Sequence, residues 1–185
     1  MTLPTISPAK KHNAIPDLLQ QALQRWFEVV NTKCAGGDSF STKSVASILE
    51  IDLDTTIQYW MGLVEHEDEL TCVRLSVQDR TGHLPQLLRD LIYRLRLPTI
   101  TTALSSMAAR QHGEVRRLQG YTPPMLVEES RMLEVSIFTT LQNNLPSVDF
   151  RQLLLDVITI ADECDSQLKQ TVLGYVGTVP TWSAA

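Results

Sequence analysis

Five side chains have the type and the placement to do chemistry inside a helical protein: His112, Arg116, Gln119, Glu134 and Asp165. His112, Arg116 and Gln119 follow at i, i+4 and i+7, on a polar stripe that begins at Ser105 and runs along the shoulder of a helix. Beside it, Ile100, Leu104, Met107, Gln111, Val115 and Leu118 form the stripe expected to face the core. Glu134 falls inside the apolar arc Leu126, Ser130, Leu133, Ile137 and Leu141 of the next helix. Asp165 falls inside the arc Phe150, Leu154, Val157, Ala161, Cys164, Leu168, Val172 and Tyr175 of the last. Buried charge is costly unless it is paired and hydrogen-bonded, so these opposite signs are expected to meet in one clasp.

Such a clasp can hold helices in register, or it can border a pocket and sense a ligand. Catalysis is not expected, because no nucleophile, base and orienting group recur at a recognisable spacing. A helical histidine can hold haem or a metal. His12, His66 and His83 lie in unrelated contexts, however, so no second ligand is placed, and neither cofactor nor metal is expected. The run His-Gly-Glu-Val-Arg-Arg at 112–117 loosely echoes a phosphoacceptor helix, but no Gly-rich nucleotide box accompanies it. Gly36-Gly37 lacks the lysine and the serine or threonine of a phosphate loop.

These residues need a scaffold, and composition limits the choice. A chain of 185 residues with 43% hydrophobic and 20% charged content is of globular type. Its net charge of −5 disfavours a broad footprint on nucleic acid or on an anionic membrane. The three cysteines, Cys34, Cys72 and Cys164, form no CxxC pair, so neither a disulfide framework nor a zinc site is indicated, and a reducing cytoplasm is the expected compartment. No apolar run reaches the ~18 residues that span a bilayer, and no membrane partner is expected.

The pattern along the chain is helical. Residues 1–16, with Pro4, Pro8 and Pro16, form an expected flexible leader, and a helix opens near Asp17 with Leu18, Leu19, Ala22, Leu23, Trp26, Phe27 and Val30 on one face. A loop at 34–41 follows. Ser44–Leu49 and Thr55–Val64 read as two helices that resemble a DNA-binding helix-turn-helix. That pair departs from the motif: Glu50 stands at the turn glycine, one residue too many precedes Ile57, and Asp52 and Asp54 would face phosphates. Glu65–Glu69 reads as a solvated acidic turn, and Ser76 with Asp79 as a capping box.

Leu84, Leu87, Leu88, Leu91 and Leu95 line the next helix, which Leu97-Pro98 ends; Thr99 or Thr101 opens the one carrying His112. Gly120-Tyr121-Thr122-Pro123-Pro124 is a reversal, with Gly120 as left-handed cap and Thr122 as the cap of the following helix. Asp149 is expected to cap the last helix, and Gly174, Gly177 and Pro180 to close it. The whole is an all-α, single-domain bundle of about seven helices over 17–178, with a tail at 179–185.

Four segments are together similar to a known family. L-S-V-Q-D-R-T-G-H-L-P-Q-L-L-R-D-L (75–91), A-A-R-Q-H-G-E-V-R-R-L-Q-G-Y (108–121), L-V-E-E-S-R-M-L-E (126–134) and D-V-I-T-I-A-D-E-C-D-S-Q-L (156–168) resemble the N-terminal domain of RsbRD-type co-antagonist proteins. The likeness covers 57–175, and the matching positions are His112, Gly113, Arg116, Gly120, Tyr121 and Glu129, with Glu134 as an alternative to the last. It implies a non-enzymatic cytoplasmic input module of the kind set before a STAS, histidine-kinase or transcription-regulator part. It also implies regulation of a partner protein, or of a second copy, through changes in helix packing. Leu154, Ala161, Leu168 and Tyr175, spaced by sevens, point to a homodimer through the last helix. The alternatives are a haem- or small-ligand-binding helical sensor and a DNA-binding regulator using 44–64.

Overall fold

The computed structural model describes residues 42–98 and 105–177, all within the second of the two units into which the chain divides, Phe40–Ala185. The leader, the helix expected from Asp17, Ile100, Leu104, the Thr99 or Thr101 opening, Pro180 and the tail lie outside the described residues. The described chain is all-α. Its only extended pairing, among those residues, is a single bridge between Lys43 and Val148.

Helix α1 (Val45–Ile51) starts where Ser44 Oγ accepts from the Ser47 amide at 3.2 Å. Helix α2 (Leu53–Val64) follows after Asp52 alone, not after the five-residue separation read from the sequence. This leaves none of the roughly three- to four-residue turn of a helix-turn-helix. The reason lies in Asp52, whose carbonyl accepts from Thr56 Oγ1 at 2.9 Å and whose carboxylate accepts from Asn144 Nδ2 at 2.8 Å. Thr56, Trp60 and Val64 are then buried.

Short helices α3 (Asp68–Thr71) and α4 (Val77–Thr81) lead into α5 (Leu84–Leu95). Ser76 caps α4 as its spacing with Asp79 suggests, its Oγ accepting from the Asp79 amide at 3.0 Å; the Asp79 carboxylate accepts from that hydroxyl at 2.6 Å and not from the Ser76 amide of a full capping box. Leu84, Leu87, Leu88, Leu91 and Ile92 bury the inner face of α5.

Helix α6 (Met107–Leu118) begins at Ser106, whose Oγ accepts from the Ala109 amide at 3.1 Å and donates to Asp90 Oδ2 on α5 at 2.7 Å. Ser106 thus serves as cap and as inter-helix tie. Ser106→Ala is expected to cost about 1–2 kcal/mol, read as a lowered urea midpoint with unchanged slope. The helix ends in a Schellman turn: Gly120 takes φ +87°, the Tyr121 amide donates to Arg116 O at 3.0 Å, and the Gly120 amide donates to Arg117 O at 3.2 Å. Pro123 and Pro124 then open α7 (Pro123–Asn143), where their missing donors are no loss, and the Thr122 amide donates to Met125 Sδ at 3.3 Å.

Two expectations about α6 and the last helix, α8 (Leu153–Val176), are overturned. The face of α6 read as core is outermost: Met107 is 76% and Leu118 79% exposed, with Gln111 and Val115 exposed as well. The inner face holds Ala109, His112, Gly113 and Arg116. The cause is the neighbour. A Cβ built on Gly113 would lie 1.8 Å from Thr171 O, and one on Gly174 would lie 1.9 Å from Arg110 O. The two backbones touch, and only small residues allow that approach. Gly174 therefore sits within α8 as a contact residue and does not close it; Gly177, at φ +77°, stands at the end.

On α8 the buried row is Ile160, Glu163, Cys164, Gln167, Thr171 and Gly174, while Leu154, read as inward, is 72% exposed. Asp149 lies before the helix: its Oδ1 accepts from the Arg151 amide at 3.0 Å, and Gln152 occupies the cap position. On α7, Leu126, Leu133, Ile137 and Leu141 are buried as expected, joined by Glu129, Met132, Ser136 and Thr140. Thr140 Oγ1 meets Thr56 Oγ1 of α2 at 2.8 Å.

Candidate functional site

The buried face of α6 carries Arg116 inward, where it has no exposed surface. Four hydrogen bonds and one further ion contact surround its guanidinium. Nε donates to Glu129 Oε2 of α7 at 3.0 Å, and Nη1 donates to Gln119 Oε1 at 2.6 Å. Asp79 O accepts from Nη1 at 3.1 Å, and Arg80 O accepts from Nη2 at 2.8 Å. Those two carbonyls belong to the last turn of α4 and have no helical partner of their own, so the cation caps that helix. Glu129 Oε1 lies 2.9 Å from Nη2 but off the N–H direction, and makes an ion contact without accepting a hydrogen bond.

Glu129 is only 4% exposed and gathers three elements. His112 Nε2 of α6 lies 3.2 Å from its Oε2, and Trp60 Nε1 of α2 donates to its backbone carbonyl at 3.1 Å. Burial opposes ionisation of this carboxyl. The His112 hydrogen bond and the Arg116 charge outweigh that and hold it below the usual carboxylate range. Burial also lowers His112, against the hydrogen bond and charge of Glu129. Burial thus favours the neutral imidazole, and the carboxylate's full counter-charge is Arg116.

A second imidazole completes the group. His83, at the head of α5, stacks on His112 with centroids 3.7 Å apart and planes 13° apart, and stands edge-on to Trp60 at 6.0 Å. Burial first, then His112 and Arg116, hold it well below the usual histidine range. The expectation that His83 lies in an unrelated context is thus corrected. The signal available was weak, a Gly-His-Leu-Pro run at a helix start, and the contact that matters spans 29 positions of sequence.

Below Arg116, the Tyr121 ring lies 4.7 Å from the guanidinium carbon, and its hydroxyl accepts from Arg80 Nη1 at 3.2 Å. Arg80 is itself buried and also donates to Val73 O at 2.7 Å. Burial, followed by the Glu129 charge, pushes the Tyr121 hydroxyl up to about 12, so it stays protonated. Tyr175 of α8 donates to Tyr121 O at 2.8 Å, tying the reversal to the last helix. Tyr175→Phe is expected to cost about 1 kcal/mol, read in the same urea titration.

The clasp therefore differs in membership from the one expected. His112, Arg116 and Gln119 belong to it; Glu134 and Asp165 do not. Glu134 is partly exposed, and the charge beside it is that of Asp165, a like sign that raises its carboxyl after burial has done so. Asp165 is exposed. Water solvates both, so neither needs a counter-ion. Glu129 takes the place given to Glu134, five residues earlier on α7. His112, Gly113, Arg116, Gly120, Tyr121 and Glu129 all fall in the clasp or in the turn and helix contact that build it.

Beside the clasp lies a cavity of about 20 Å³, lined by His83, His112, Glu129, Cys164, Gln167 and Thr171 among others. That is room for roughly one water-sized group, far less than a haem occupies. No helix of the described residues is long and apolar enough to cross a membrane. Compared with family models, curated proteins and solved structures, the chain matches none of them.

Proposed function

We propose that this chain is a non-enzymatic signalling input module, of the kind its likeness to the RsbRD N-terminal domain implies. Its output is the packing of α6 and α8, delivered to a partner kinase, phosphatase, STAS or transcription-regulator protein or to a second copy. A cytoplasmic location fits such a role. The observation carrying this reading is that one enclosed ion pair holds a helix whose outer side is an exposed apolar row. Arg116 and Glu129 join α4, α6 and α7, and the opposite side of α6 presents Met107, Val115 and Leu118 to solvent. A charge network closed to substrate does little chemistry, but it can hold one of two packings. An outward apolar row on the same helix is where a protein would feel the difference.

Sedimentation equilibrium of the full chain tests this reading. Concentration-dependent association is expected, and Met107→Ser with Leu118→Ser is expected to reduce it at least tenfold without changing the circular dichroism. A monomer at all concentrations that also ignores every STAS or kinase partner offered would contradict it.

A further inference from the structure

The groups that close the clasp answer to a second chemistry. His83, His112 and Glu129 each offer a ligand atom, and these atoms lie within 4.8 Å of one another. They come from three elements: the head of α5, the middle of α6 and the middle of α7. All three residues line the cavity of about 20 Å³, which leaves space for one further small ligand such as water.

Two imidazoles and a carboxylate form a donor set that suits zinc or ferrous iron and suits magnesium or calcium poorly. The carboxylate is already oriented, since Arg116 Nε donates to Oε2 at 3.0 Å. From this we infer that His83, His112 and Glu129 form a binding site for one divalent first-row transition ion, zinc being the simplest case. The inference rests on reading the clasp as the sensing element, and it names the class of ligand sensed.

Two features set the terms of binding. Stacked rings direct their in-plane lone pairs side by side, so one ring must turn for both to converge on an ion. His83 is the one to turn. It is held by ring contacts to His112 and Trp60, whereas His112 Nε2 already lies 3.2 Å from Glu129 Oε2. Arg116, beside Glu129, repels a dication, so affinity falls below that of closed four-ligand zinc sites. Binding puts the ion in the place of the Nε2–Oε2 contact, and the neutral imidazole of His112 then carries its one proton on Nδ1, so none is released. The α6–α7 spacing at the clasp changes with it.

The full chain, stripped with chelator and dialysed, is titrated with Zn²⁺ by calorimetry and with Co²⁺ by visible absorption, with Mg²⁺ as control. One Zn²⁺ per chain is expected, with no Mg²⁺ binding, and His83→Gln is expected to weaken zinc at least tenfold. Zinc-edge X-ray absorption of the wild type is expected to show nitrogen and oxygen ligands; it needs no variant and so decides even where one fails to fold. Absent zinc binding, sulfur ligation, or an affinity that a folded His83→Gln leaves unchanged would each overturn the site. Sedimentation with and without Zn²⁺ separates the two ideas. Association without zinc binding removes the ion and keeps the input module, while zinc binding by a chain that stays monomeric and ignores every partner offered does the reverse.

Discussion

Gly113→Ala is expected to destabilise the protein by at least about 3 kcal/mol, and Gly174→Ala by a similar amount. The new methyl carbon would lie 1.8 Å from Thr171 O in the first case and 1.9 Å from Arg110 O in the second, about 1.5 Å inside ordinary contact. Neither obstacle is the end of a flexible side chain. Both are backbone carbonyls within a helix, so α6 and α8 must move apart along their whole contact. Two other glycines separate this effect from general glycine behaviour. Gly62, within α2 and with nothing near its Cβ position, should gain up to about 1 kcal/mol as alanine, through helix propensity. Gly120 also has open space but sits at φ +87°, so alanine there should cost about 1–2 kcal/mol. Urea unfolding of the four variants ranks them. A Gly113→Ala protein within 1 kcal/mol of wild type would mean that the close approach is absent.

The second large effect is in the ion pair. Glu129→Gln keeps the shape of the side chain but leaves Arg116 buried without its counter-charge, and is expected to cost about 3–5 kcal/mol. Arg116→Met should cost as much, because Glu129 then keeps only a neutral imidazole donor and the α4 carbonyls lose their cap. Arg116→Lys should not rescue it, since one ammonium cannot span Glu129, Gln119 and two carbonyls at once. The pair Arg116→Met with Glu129→Leu should be clearly more stable than the sum of the single losses, by 1 kcal/mol or more. It should still fall short of wild type, because Asp79 O, Arg80 O and Gln119 lose their donor. Strict additivity in that cycle would show that the two charges do not interact.

What the sequence announced is what the chain decides locally. Ser76 with Asp79, Gly120 at the reversal, the leucine row of α5 and the inner row of α7 each depend on residues a few positions apart. Helix α6 was misread because apolar spacing weighs Met107, Val115 and Leu118 as core, whereas its burial is chosen by how close α8 must come. Gly113 and Ala109 carry no hydropathy signal for that choice. The same weighting prefers Glu134, inside the apolar arc, to Glu129. Trp60, His83 and Arg80 entered the site from distant parts of the chain, and a single sequence has no local mark of such meetings.

Amide hydrogen exchange of wild type against Glu129→Gln, followed peptide by peptide, tests most directly whether the clasp governs the outward helices. The expected result is lost protection that reaches α6 and spreads through Thr171–Val176 of α8. Protection lost on α7 alone, with α6 and α8 unchanged, would contradict it.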